Sequence, residues 1–198
     1  MTTATSVLTA GIVMAAAVLM ARTSGAECPR AGMSNRPCAN APQPQRSIEG
    51  QAGVISGDTL VVSGERFRLQ AIDALERNQS CIDADGTIWA GGREAKAWLE
   101  ATIRNNAAGQ VSCSQGRQDR HGNAMGACFT GRQSGQGIDL GGEMVRQGYA
   151  IAFLLNDYRQ LEMEAQAAGR GMWKPGRRCD QPSEWRRTHH LQGQQGDR

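Results

Sequence analysis

Asp58, Arg68, Asp73 and Glu76 fall in one short stretch, Gly53-Val-Ile-Ser-Gly-Asp-Thr-Leu-Val-Val-Ser-Gly-Glu-Arg-Phe-Arg-Leu-Gln-Ala-Ile-Asp-Ala-Leu-Glu76. Two carboxylates are hard oxygen ligands and suit a divalent cation. An arginine beside them presents a planar fork that matches two oxygens of a phosphate. A glutamate three residues beyond Asp73 is placed to reach a water bound at the same spot. This set suits phosphate-ester chemistry, which needs cations on the phosphate, an activated water and help for the leaving oxygen. Taken singly, each residue has an ordinary reading: Asp58-Thr59 as a turn, Arg68 and Glu76 as a surface ion pair.

The elements that must position these residues read as a β-meander. Val54-Ile55, Leu60-Val61-Val62 and Phe67-Arg68-Leu69 are strand-like, with turns at Ser56-Gly57-Asp58 and Ser63-Gly64-Glu65. A meander folds back on itself, which brings Asp58 in its first turn toward Asp73 at the end of its third strand. Beyond it, 93–104 has helical spacing, with Ala95, Trp98, Leu99 and Ile103 on one face. Residues 110–114 and 124–130 read as strands. Residues 138–147 and 158–168 read as helices closed by Gly148 and Gly169. The fold class is α+β, mainly β, with five short strands and about three helices.

Further pieces follow in order: Gln79-Ser-Cys81, Gly86-Thr-Ile-Trp89, Gly92-Arg-Glu-Ala95, Val111-Ser-Cys-Ser114, Asp119-Arg-His-Gly122, Met144-Val-Arg-Gln-Gly148, Gly169-Arg-Gly-Met-Trp173 and Trp185-Arg186. With the meander they make residues 48–187 resemble the thermonuclease family of staphylococcal-nuclease-like phosphodiesterases. That family's signature runs D-G-D-T, then R-I-R-L-x-G-I-D-A-P-E. The resemblance implies an OB-type five-stranded barrel, calcium as cofactor and nucleic acid, DNA or RNA, as substrate. Carried over residue by residue, it makes Asp58 and Asp73 the metal carboxylates, with the Ala74 carbonyl as a further ligand. Arg68 becomes the phosphate arginine, and Glu76 the acid that positions or deprotonates the attacking water.

The chain also departs from the pattern. The family's D-R-Y-G-R segment, which ends on a second phosphate arginine, reads Asp119-Arg-His-Gly-Asn123 here. Asparagine carries no charge, and loss of a transition-state arginine costs roughly 10³–10⁵ in rate in related phosphoryl chemistry. Arg120 is the candidate replacement at the substrate, and His121 a weaker one whose charge depends on pH; a structural surface role for Arg120 is the alternative. Ser56 stands where the family opens D-G-D-T with an acid, which thins negative charge around the metal. Leu75 replaces the proline before the glutamate, which frees the backbone there. Phe153 is placed either to stack on a base or to join the core. Asp83-Ala-Asp-Gly86 resembles the start of a calcium loop but lacks a preceding helix, and reads as a turn. His189-His190 sits without other ligands and reads as solvated.

The 198 residues, 39% hydrophobic, suffice for one domain with a core. An apolar run over 6–21 followed by Ser24-Gly-Ala26 reads as a signal peptide, residues 1–26, although no Lys or Arg precedes the run. An uncleaved membrane anchor is the alternative; either way the domain is exported, periplasmic or secreted. Residues 27–47 read as a flexible leader, 48–187 as the domain and 188–198 as a polar tail. A monomer is expected. All six cysteines, at 28, 38, 81, 113, 128 and 179, follow the cleavage site, and an even number in an exported chain suggests disulfides. The pairing Cys113–Cys128, Cys28–Cys38 and Cys81–Cys179 is one of several that six cysteines allow. The net charge of +3 becomes +2 without Arg22 (21 basic, 19 acidic), too little to hold nucleic acid by bulk charge. The basic run Arg170, Lys174, Arg177, Arg178, Arg186 and Arg187 reads as solvated surface.

Two readings remain: an exported calcium-dependent nuclease slowed by Asn123, or an OB-type module that binds nucleic acid or another anionic ligand in the envelope without turnover. Fold alone does not choose between them.

Overall fold

A computed structural model of the chain describes residues 46–119, 122–133, 135–153 and 158–195. The signal peptide, almost all of the leader with Cys28 and Cys38, and the candidate Arg120 with His121 lie outside the described residues.

The meander forms as the alternation requires. Strands β1 (Ser47–Ser56), β2 (Thr59–Val62) and β3 (Glu65–Leu69) pair antiparallel in sequence. Leu60, Val62, Phe67 and Leu69 are buried, so the residues between them face outward. Arg68 therefore stands on the outer face, opposite Thr59 and next to Asp58. The β2–β3 turn is tight, with Ser63 and Gly64 both at positive φ. Asp73 is not on the third strand: Ala71, at φ 63°, turns the chain out of the barrel. It enters a separate strand β4 (Ile72–Ala74).

A small hairpin follows, β5 (Cys81–Ile82) with β6 (Ile88–Trp89), and Asp83–Gly86 is its turn as expected. Helix α1 (Gly91–Ala107) then covers the barrel with Ala95, Leu99, Thr102 and Ile103. Strands β7 (Gln110–Gln118) and β8 (Ala124–Thr130) complete it. β8 is buried at every second residue: Ala124, Gly126, Cys128 and Thr130. The barrel is closed in the order β1-β2-β3-β8-β7, and β3 pairs parallel with β8. This is the OB-type barrel expected, with no sheet edge left open.

Helix α2 (Leu140–Arg146) starts at Asp139, whose side chain accepts from the Gly141 and Gly142 amides at 3.1 and 3.3 Å and from the Tyr158 hydroxyl at 2.7 Å. Strand β9 (Ala150–Ala152) pairs with β4, α3 (Arg159–Ala167) ends before Gly169 at φ 61°, and a 3₁₀ turn spans Gly171–Trp173. The core runs from Phe67, Leu69 and Val111 inside the barrel to Leu99, Leu140 and Met144 beneath the helices.

The described residues hold four α-helices where about three are expected. The fourth, α4 (Pro182–Gln195), runs through most of the stretch read as a tail. Its apolar residues lack helical spacing, so periodicity does not reveal it. Among the described residues two disulfides form, Cys113–Cys128 across adjacent strands and Cys81–Cys179. Among the described residues no helix is long and apolar enough to cross a membrane.

Candidate active site

Asp58 sits in the β1–β2 turn. Its Oδ1 accepts from the Thr59 and Ser56 hydroxyls at 2.8 and 2.9 Å, and its Oδ2 from Arg68 Nε at 2.9 Å. The serine that thins the negative charge thus also orients the carboxylate. Gly57 lets the turn approach its neighbours: a Cβ there would lie 3.1 Å from Ala95 Cβ and 3.2 Å from Ala74 Cβ. That proximity brings Asp58 to β4. Arg68 joins the two, with a terminal nitrogen 3.7 Å from Asp73 Oδ1.

Asp73 is buried, on a strand whose three residues are all buried. Leu75 N–H and Phe153 N–H bond to Tyr149 O and Ala71 O on either side of Asp73. Alternate residues of β4 therefore face β9, and the Ala74 carbonyl lies on the strand's other edge. The leucine that replaces proline does not loosen the chain. Its buried N–H makes the 3.0 Å bond to Tyr149 O that a proline lacks. Glu76 is then pinned by Gln79, which accepts from the Glu76 amide at 3.1 Å and donates its own amide to Glu76 O at 2.8 Å.

The sequence reading missed the residue that dominates this site. Arg186 on α4 donates to both oxygens of Asp73, at 2.8 and 2.9 Å, and to Glu76 Oε1 at 2.6 Å. These bonds, first to Asp73 and then to Glu76, raise the guanidinium pKa above its ordinary value. The pair Trp185-Arg186 closes the series of matched motifs, which was the available signal. The basic run is accordingly not plain surface.

A clamp holds the chain just ahead of α4. Asp83 accepts from Arg177 Nε at 2.5 Å, from its Nη2 at 3.1 Å and from Lys174 Nζ at 2.9 Å. Arg177 lies over the Trp89 ring at 3.9 Å. Ile82 and Arg178 exchange backbone bonds, Cys81 is joined to Cys179, and buried Gln79 donates to Asp180 O at 2.8 Å.

The other candidates separate from this cluster. Asn123 donates its side-chain amide and its backbone N–H to Asp119, each at 2.9 Å, and so closes the β7–β8 turn. Phe153 is 49% exposed, at the end of β9 rather than in the core. His189 stacks on Trp185 at 4.0 Å. Among the described residues no three Asp, Glu, His or Cys side chains are grouped to hold a metal. A cation here would have the Asp58 and Asp73 carboxylates and the Ala74 carbonyl, which are oxygen donors of the type calcium takes.

Residues 66–175 match the staphylococcal nuclease homologue family. The chain is also 32% identical over 130 residues to the succinoglycan biosynthesis protein ExoI of Rhizobium meliloti (strain 1021), covering 64% of this chain. It spans 65% of that relative's length, a little under two thirds. With more than half of its residues matched, and a closed five-stranded barrel carrying Arg68 on its outer face, the chain belongs to the staphylococcal nuclease homologue family.

Proposed function

We propose that this domain binds nucleic acid and hydrolyses its phosphodiester bonds, outside the cytoplasm. The observation that carries the reading is Arg68, which bridges Asp58 and Asp73 on the outer face of the barrel, with Glu76 on the same ion cluster through Arg186. Arg68 is the residue for the phosphate: its fork turns from two carboxylates to two phosphate oxygens without changing the kind of bond it makes. Glu76, held by Gln79, orients the attacking water and takes its proton. Calcium, held by Asp58, Asp73 and the Ala74 carbonyl, would supply neutralisation of the phosphate charge. The disulfides Cys81–Cys179 and Cys113–Cys128 suit an exported chain.

A specific observation favours the second reading, a nucleic-acid-binding module without turnover: one guanidinium takes both oxygens of Asp73. Steady-state cleavage by a Glu76→Gln variant, measured beside oligonucleotide binding, separates the two. The nuclease reading expects kcat to fall about 10²–10⁴-fold with binding unchanged. Retention of the oligonucleotide by both forms, with cleavage by neither, would leave the binding module.

A further inference from the structure

We infer that Arg186 is a resident counter-ion of the acidic site, and that a divalent cation gains Asp73 by displacing it. The inference rests on the reading of Asp58 and Asp73 as metal carboxylates. Calcium binds oxygen directly, at about 2.3–2.6 Å, and both oxygens of Asp73 already face guanidinium nitrogens at 2.8 and 2.9 Å. Asp73 already faces two cations, Arg186 at both oxygens and Arg68 at 3.7 Å, and a divalent ion would add a third to the same carboxylate. The charge count agrees. Asp58, Asp73 and Glu76 are balanced by Arg68 and Arg186 to within one negative charge. A divalent ion added to that set reverses its sign, whereas a divalent ion exchanged for Arg186 leaves it neutral.

The fold lets this exchange happen without loss of the barrel. Arg186 comes from α4, which is no part of the barrel. Of its residues 182–189, Pro182 alone is buried, Trp185 and Arg186 are half-buried and the rest are exposed. Release of Arg186 therefore uncovers little apolar surface. The segment before it stays tied by Cys81–Cys179 and by the Gln79 bond to Asp180, so the helix is retained beside the site when the guanidinium leaves.

The test is isothermal titration of calcium alone into the oxidised wild type, Arg186→Gln and Arg186→Lys. It is paired with hydrogen exchange of 182–189 in the wild type with and without calcium. Coupled sites shift each other's affinity by about 5–150-fold, so Arg186→Gln should bind calcium at least about fivefold more tightly than wild type. Arg186→Lys, a point charge without the fork, should fall between them. Calcium should speed exchange in the first turns of α4. The exchange measurement needs no variant, so it stands even if loss of the guanidinium unfolds the domain. Equal affinities, or calcium binding to wild type with α4 unchanged, would overturn the inference and leave the metal site standing. Absence of calcium binding in every form, with Arg186→Gln folded, would overturn the inference and the calcium reading together.

Discussion

Asp83 and Arg186 show how single ion clusters set the behaviour of this molecule. Three charge-assisted bonds, from Arg177 and then Lys174, hold the Asp83 carboxyl well below its ordinary value of 3.8. A carboxyl depressed in the folded state stabilises it fully above the unfolded value and ceases to do so as the pH falls through the folded one. The melting temperature of the wild type should therefore drop more steeply between about pH 5 and about pH 2 than that of Asp83→Asn. Parallel pH curves from circular dichroism would contradict this assignment. Legibility at this scale follows distance along the chain. Arg68 was readable because strand alternation places it outward beside Asp58. Arg186, 110 residues from Glu76 and on a helix without apolar periodicity, was not. Gln79 was hidden for another reason: a buried amide that joins Glu76 to Asp180 has no motif of its own.

At the level of elements, the site depends on how closely α1 and β4 pack. Gly92, in the first turn of α1, sits where a Cβ would collide with the Glu76 carbonyl, so the helix can approach Glu76 only through a glycine. Gly92→Ala should cost about 1–3 kcal/mol through overpacking and displace Glu76, lowering cleavage along with stability; an unchanged urea midpoint would count against that packing. Asp139→Ala removes the cap of α2 and the partner of the Tyr158 hydroxyl, with an expected loss of about 1–2 kcal/mol in chemical denaturation. The barrel strands and the first three helices were legible because their apolar residues alternate or recur with the right period. β4 and β9 were not: each has three residues, too short for a pattern, and β4 is set apart by the positive φ of Ala71.

For the whole molecule, closure and cross-linking make the frame on which the acidic cluster sits. Cys81–Cys179 closes a loop of 98 residues and Cys113–Cys128 one of 15. In the chain-entropy account the first contributes about 4–5 kcal/mol and the second about 3 kcal/mol. Urea unfolding of Cys81→Ala/Cys179→Ala and of Cys113→Ala/Cys128→Ala should rank them in that order, the first also loosening α4. A reversed ranking would mean that local packing, not the long cross-link, holds the C-terminal segment. The frame was foreshadowed by six cysteines behind an export-like leader, but what it carries was not, because α4 reaches the site only after the chain has crossed back over the β5–β6 hairpin. The central claim is that Arg68 works on a phosphodiester at this site. It is tested most directly by cleavage of single-stranded DNA and RNA by the oxidised protein, with calcium and with chelator, beside Arg68→Ala. We predict calcium-dependent cutting that falls by about 10³-fold or more in the variant; equal cutting by both proteins, or none by a folded wild type, would contradict it.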